Sequence, residues 1–167
     1  MKKKIYLAGP MAGITFDQAN NWRDYVTSKL DGEIMECFNP TRGESLVNGV
    51  FSALAHGANP CNTVGAITGR DRFDVQTSDL VFMNVIGAKT VSIGTTVELG
   101  WADIYRKPLV LCMEESGNPH DSIHFRGLAT YLVNDLDSGI MCARNLLLSR
   151  AGDAAKPNGP SIIARHF

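Results

Sequence analysis

The sequence predicts an α/β fold: a mostly parallel five-stranded sheet with helices on both faces. Three observations carry this. Five short β-rich runs alternate with helical segments, and such alternation folds into parallel sheets covered on both sides. The third run, Asp79 to Val85, is apolar enough to be a central strand. The 167 residues, 44% of them hydrophobic, suffice for one core without disulfide or metal staples. One domain over residues 1–150 and a C-terminal tail over residues 151–167 are expected.

Lys4 to Ala8 is the first β-rich run, broken by Gly9 and Pro10. Phe16, Ala19, Trp22, Tyr25, Val26 and Leu30 recur at helical spacing, with Thr15 as N-cap and Gly32 as stop signal. Residues 33–38 read as the second strand, ended by Asn39 and Pro40. Residues 43–69 mix small residues, glycines and polar groups, which predicts a loop with a partial helix around Leu46 to Ala55. Asp71 to Ser78 reads as a short helix. A helix over Thr95 to Tyr105 follows the third strand, with Arg106 and Lys107 suited to its negative end. Leu109 to Met113 is the fourth strand, Glu114 to His124 a polar loop, and Thr130 to Val133 the fifth strand. Leu136 to Leu148 carries the stripe of a last amphipathic helix.

Composition narrows the function classes. A formal net charge of −1 gives no electrostatic footprint for nucleic acid or an anionic membrane. The apolar run after Met1 to Lys4 is too short for a signal-peptide core, and nothing approaches the ~20 apolar residues that span a bilayer. A cytoplasmic protein is the expectation. Cys37, Cys61, Cys112 and Cys142 form no CxxC pair and have no zinc-like partners, which predicts reduced thiols, no metal and no cofactor. No GxGxxG is present, and no glycine precedes a Lys-Ser or Lys-Thr pair at P-loop spacing.

The run Ser92 to Gly100 holds the sharpest chemical signal. It puts Glu98 four residues after Gly94, near a helix start, beyond a strand whose carboxyl end borders the ligand-binding edge of such sheets. A first-turn carboxylate also complements the helix dipole, which is a purely structural use. Three other features fall at strand ends or helix starts: Tyr6 to Gly13, Asp71 between Arg70 and Arg72, and Asn118 to His124. Two carboxylates, Asp71 and Glu98, suit chemistry at a sugar C1′, where an oxocarbenium-like centre needs one and the leaving group needs a proton donor. A surface ion pair with Arg70 or Arg72 is the structural alternative for Asp71. His120 and His124 are candidate substrate contacts from the loop, and His56 has no metal-like cluster around it.

The chain resembles the nucleoside 2-deoxyribosyltransferase family. The matching residues are Tyr6-Leu7-Ala8-Gly9-Pro10, Arg70-Asp71, Ser78-Asp79, and Gly94-Thr95-Thr96-Val97-Glu98-Leu99-Gly100-Trp101-Ala102, within a similarity running from about Ile5 to about Leu148. The resemblance implies a flavodoxin-like fold. It implies that Glu98 is the nucleophile at C1′, that Asp71 handles the proton of the base, and that Tyr6 lines the pocket and places Glu98. Gly9 would border the substrate. In the base-exchanging branch an aspartate stands six residues before the nucleophile; here Ser92 stands there, with Gly94 two residues on. The branch that hydrolyses 2′-deoxynucleoside 5′-monophosphates has that serine, and takes a second one from a neighbouring subunit at the place Ser122 occupies. Hydroxyls and helix N-terminal amides suit a phosphate dianion, which an aspartate would repel. The chain departs from that branch in its first-strand loop, with Pro10 and Ala12 where a serine and an arginine are found.

Hydrolysis of the N-glycosidic bond of a (2′-deoxy)nucleoside 5′-monophosphate is therefore the leading expectation, in a homodimer or higher homo-oligomer with a small-molecule partner. Base exchange between free nucleosides is the first alternative. A nucleotide-binding module without turnover is the second, and a modified base selected by the 43–69 segment is the third.

Overall fold

The computed structural model describes residues 1–32, 34–42 and 60–148, and the backbone of residues 46, 47, 50 and 51. The chain runs β1 (Lys3–Ala8), α1 (Phe16–Leu30), β2 (Met35–Phe38), β3 (Leu46–Val47), β4 (Val50–Phe51), a 3₁₀ turn (Pro60–Asn62), α2 (Val64–Thr77), β5 (Leu80–Asn84), α3 (Ile93–Ile104), β6 (Leu109–Cys112), α4 (Ile123–Leu128), β7 (Tyr131–Val133) and α5 (Leu136–Leu147).

Five strands form one sheet in the order β2-β1-β5-β6-β7, and every neighbouring pair is parallel. Counting only these strands, the order is 2-1-3-4-5, that of flavodoxin-like doubly wound folds. From β1 the chain goes outward to β2, then returns to lay β5 on the other side of β1. The crevice at the carboxyl ends of β1 and β5 is thus the topological switch point, where such sheets bind ligands. The sheet is the expected one, fully parallel rather than mostly so.

The period of two in the strands divides the core between the faces. Ile5, Leu7, Leu80, Phe82, Val110 and Cys112 pack under α1 and α5. Tyr6, Ala8, Val81, Met83, Leu109 and Leu111 pack under α2, α3 and α4. All of β5 and β6 is buried, which is why these strands read as unbroken apolar runs. Asp79 accepts the Lys4 N–H at 2.8 Å and faces Lys3 Nζ at 3.3 Å, pinning β1 to β5 at the end of the sheet away from the crevice. Helix α5 lies so close to the sheet that a Cβ on Gly139 would stand 2.7 Å from Cys112 Sγ. Cys112 is a packing residue there, its thiol pushed up by burial.

Helix α1 begins as expected at Phe16, with a full capping box: Thr15 Oγ1 accepts from the Gln18 N–H, and Gln18 Oε1 accepts from the Thr15 N–H. Three expectations are corrected. Residues 46–47 and 50–51 pair as a small antiparallel hairpin, in place of a partial helix. Helix α2 starts at Val64, capped by Thr63, so Asp71 sits in mid-helix and not before a short helix. Helix α3 starts at Ile93 with Ser92 as its cap, two residues earlier than expected. The polar loop before β7 also contains α4, six residues long. The rest of the 43–59 segment, His56 and the tail over 151–167 lie outside the described residues.

Candidate active site

Tyr6 stands on the α3-facing side of β1, and alternation along the strand sends its ring toward α3. Its hydroxyl donates to Glu98 Oε1 at 2.6 Å, a distance typical of a charge-assisted O–H···O⁻ bond. Tyr6 is fully buried and Glu98 is 8% exposed. Burial raises the Glu98 carboxyl to about 7, with the Asp71 charge pushing the same way; the Tyr6 hydrogen bond and the Arg23 charge oppose it. Burial, Glu98 and Asp71 hold the Tyr6 phenol well above its ordinary range, so it stays a proton donor. Glu98 is the sixth residue of α3, and α3 has no acidic residue in its first turn. The helix dipole, which acts within the first turn, therefore does not account for this carboxylate.

Asp71 comes from α2, the neighbour of α3 on the same face, and its charge acts on Glu98, Tyr6 and Arg23 alike. Its Oδ1 accepts from Arg70 Nε at 3.1 Å and Nη2 at 3.0 Å. Arg70 also donates to the carbonyls of Pro40 and Arg42, both at 2.7 Å, so the same guanidinium holds the loop after β2. The ion-pair alternative for Asp71 is thus realised, yet in a half-buried setting at the edge of the Tyr6–Glu98 pair.

The remaining site candidates fall at the carboxyl edge of the sheet or at helix starts. A Cβ on Gly9 would lie 2.6 Å from the Asn84 carbonyl oxygen and 3.0 Å from Trp22 Cζ2, so the residue is glycine for the chain's own close approach of β1 to β5. Gly9→Ala is expected to destabilise the fold by about 1–3 kcal/mol through forced displacement of that backbone, read as a lower midpoint in denaturant or thermal unfolding. Gly94 has open space where a Cβ would be, with only Ser92 Oγ at 4.0 Å. Ser92 Oγ accepts from the Thr95 N–H at 3.3 Å and the Thr95 hydroxyl at 3.0 Å, and the Thr96 N–H goes to the Ser92 carbonyl. These bonds use the third and fourth amides of α3 and leave those of Ile93 and Gly94 at its end. Ser122 is exposed and caps α4, its Oγ accepting from the Phe125 N–H at 3.4 Å. No contact within this chain brings Ser122 to Glu98 among the described residues.

His120, a candidate substrate contact, is instead 2% exposed and bound inside its own chain. Its Nε2 accepts the Ser92 N–H at 2.8 Å, which places its proton on Nδ1, facing Asn118 Oδ1 at 3.2 Å. Asn118 in turn donates to the Val85 carbonyl and to Glu114 Oε2, and Glu114 Oε1 accepts from Gly87 N–H. Together they tie the loop after β6 to the loop that launches α3. Arg126 is engaged with Asp121 and the Glu115 carbonyl, away from these groups.

Sequence reasoning passed over Arg23. It is fully buried, donating from Nε to the Leu7 carbonyl at 3.2 Å, from Nη2 to the Gly9 carbonyl at 2.9 Å, and from Nη1 to the Ala19 carbonyl. The signal was present: Arg23 falls on the inward stripe of α1 with Ala19, Val26 and Leu30, where a charge has no ordinary place. A shallow surface depression lined by Tyr25, Ile86, Asn134, Leu136 and Asp137 shares no residue with this cluster.

No family model matches the sequence, and no curated protein matches it. Solved structures do match. The CMP N-glycosidase of Clostridium botulinum superposes with a TM-score of 0.50 at 17% identity, over 84% of this chain and 98% of that one. The 2-deoxyribosyltransferase of Bacillus psychrosaccharolyticus gives a TM-score of 0.56 at 18% identity, over 81% of this chain and 88% of that one. The three chains share a fold. No group of three or more His, Cys, Asp or Glu close enough to hold a metal ion occurs among the described residues.

Proposed function

We propose that this chain is an enzyme of the nucleoside 2-deoxyribosyltransferase family that cleaves the N-glycosidic bond of a 2′-deoxynucleoside 5′-monophosphate, with Glu98 as nucleophile. The observation that carries the reading is the buried Tyr6–Glu98 hydrogen bond of 2.6 Å at the switch point of the sheet, with the Asp71 charge beside it. The names of the two structural neighbours, an N-glycosidase acting on CMP and a 2-deoxyribosyltransferase, support the same reaction class.

In this reading the Glu98 carboxylate attacks C1′ as the bond from C1′ to the base nitrogen breaks. The bonding pair leaves with the base, which takes up a proton that the Asp71 carboxylate, paired with Arg70 at rest, relays from solvent. The product on the protein is a glycosyl ester of Glu98. Water, deprotonated by Asp71, then attacks C1′, releases the Glu98 carboxylate and completes a double displacement with retention. Tyr6 holds the attacking carboxylate in one orientation and stays protonated throughout.

The 5′-phosphate is assigned to the start of α3. Ser92 and the amides of Ile93 and Gly94 lie there without a nearby carboxylate on the same turn, and the open space at Gly94 admits a ligand. Ser122 would complete that pocket from a second copy of the chain, which makes the working unit a homodimer or larger. Supporting this, Ile123 beside it and Ile93 and Val97 on α3 are exposed apolar residues. One observation favours a second reading, base exchange between free nucleosides. Pro10 and Ala12 offer no phosphate donors in the first loop, while Arg70 and Arg126 are committed to the chain's own groups.

Chromatographic measurement of free base from a panel of deoxynucleoside monophosphates, ribonucleoside monophosphates and nucleosides, each with and without a second base, separates the readings. Release from deoxynucleoside monophosphates without an acceptor is expected. Exchange confined to free nucleosides would overturn the monophosphate assignment. Ligand-induced stabilisation with no release from any substrate would reduce the chain to a binding module.

A further inference from the structure

Arg23 is a buried cation whose hydrogen-bond acceptors are the neutral carbonyls of Leu7, Gly9 and Ala19. Its guanidinium also stacks over the Trp22 ring, 4.4 Å from the centroid. A charge taken out of water is costly unless opposite charge compensates it. The groups whose fields reach Arg23 come from three elements packed around the end of β1: Glu98 of α3, Tyr6 of β1 and Asp71 of α2. Two carboxylates and one guanidinium therefore share the buried edge of the sheet. The fork of Arg23 also grips the Leu7 and Gly9 carbonyls, on either side of Ala8 and directly after the strand position of Tyr6.

We propose that Arg23 is a positioning residue for the reaction: its fork clamps the end of β1 that presents Tyr6, and so fixes the direction in which Glu98 is held. The inference rests on the reading of Glu98 as nucleophile. Two separate functions follow from one side chain. The fork geometry fixes Tyr6 and, through it, the direction of the attacking oxygen. The charge opposes part of the repulsion that Asp71 exerts on Glu98.

Two substitutions separate these functions. Arg23→Lys keeps the charge and loses the fork. Its kcat is expected to fall about tenfold through loss of alignment, with the acid limb of the pH–rate profile unmoved. Arg23→Gln keeps donors and loses the charge, and its acid limb moves to higher pH, with activity recovering in alkali. The titration of Glu98, followed by NMR on protein carrying ¹³C-labelled glutamate, gives the same shift without turnover. It reads Arg23 even if the panel of nucleotides shows no base release, a result that would instead defeat the proposed function. If Arg23→Gln does not fold, Arg23→Lys decides alone through its kcat. A Glu98 midpoint unchanged in Arg23→Gln, or full kcat in Arg23→Lys, overturns the proposal.

Discussion

Replacing Glu98 by glutamine is expected to lower base release by three orders of magnitude or roughly more, the scale seen when a covalent nucleophile is removed. The amide keeps the size of the side chain and can still accept the Tyr6 hydroxyl, so the loss belongs to the missing nucleophile and not to a collapsed crevice. Substrate binding, read by stabilisation against heat, should survive. In the wild-type protein only the carboxylate form attacks. With the Glu98 carboxyl raised to about 7 by burial, the rate should fall as pH drops through neutrality and level off above it. The stability consequence has a definite sign. The folded state holds the Glu98 proton to a higher pH than the unfolded chain, so stability from this group is lost as pH rises from the ordinary carboxyl range to about 7. Glu98→Gln removes that loss and should stabilise the protein at pH 8 by about 3 kcal/mol, with little change at pH 4. An inactive variant that is also more stable in alkali would mark a group retained for chemistry at the expense of the fold.

Asp71→Asn is expected to reduce base release by ~10²–10³-fold, the contribution of one well-placed general acid. Asparagine can still accept from Arg70, so the loop that Arg70 holds against Pro40 and Arg42 is kept. The deficit should depend on the leaving group. A deoxyribosyl donor whose leaving group departs as a stable anion needs no proton and should be cleaved by Asp71→Asn at close to the wild-type rate. An equal loss on both kinds of donor would make Asp71 an electrostatic or structural residue only. Removing the Asp71 charge also lowers the Glu98 midpoint, because Asp71 is one of the groups that raise it.

Much of the frame was legible because local and tertiary preferences agree there. Thr15 and Gln18 form the capping box their spacing suggests, and Phe16 to Leu30 is the helix its stripe suggests. β5 and β6 read as buried strands because helices cover both of their faces. Glu98 and Asp71 stand out by residue type and position and Tyr6 through the family resemblance, and the fold sets the Tyr6 hydroxyl against Glu98 with the Asp71 charge acting on both. The failures have physical causes. Helix α2 hid its first half because Val64 and Phe73 are exposed, and Gly65 and Gly69 lower helix propensity, so no apolar stripe emerges. The strands β3 and β4 are two residues each, shorter than any period can show. α4 is likewise too short for a helical stripe. His120 and Arg23 act through bonds to backbone groups far along the chain, from Ser92 in one case and to Leu7 and Gly9 in the other. Such bonds leave no trace in spacing. A charge on a core stripe was the one available hint for Arg23.

The proposed reaction turns on a covalent bond between the substrate sugar and Glu98. It is tested most directly by mass spectrometry of the protein after incubation with a 2′-fluoro-2′-deoxynucleoside 5′-monophosphate, whose fluorine slows both steps and lets the ester accumulate. A mass increase equal to one fluorinated sugar phosphate is expected, mapped to the peptide containing Glu98 and absent in Glu98→Gln. Base release from the wild-type protein with no adduct at Glu98, or an adduct on another residue, would contradict it.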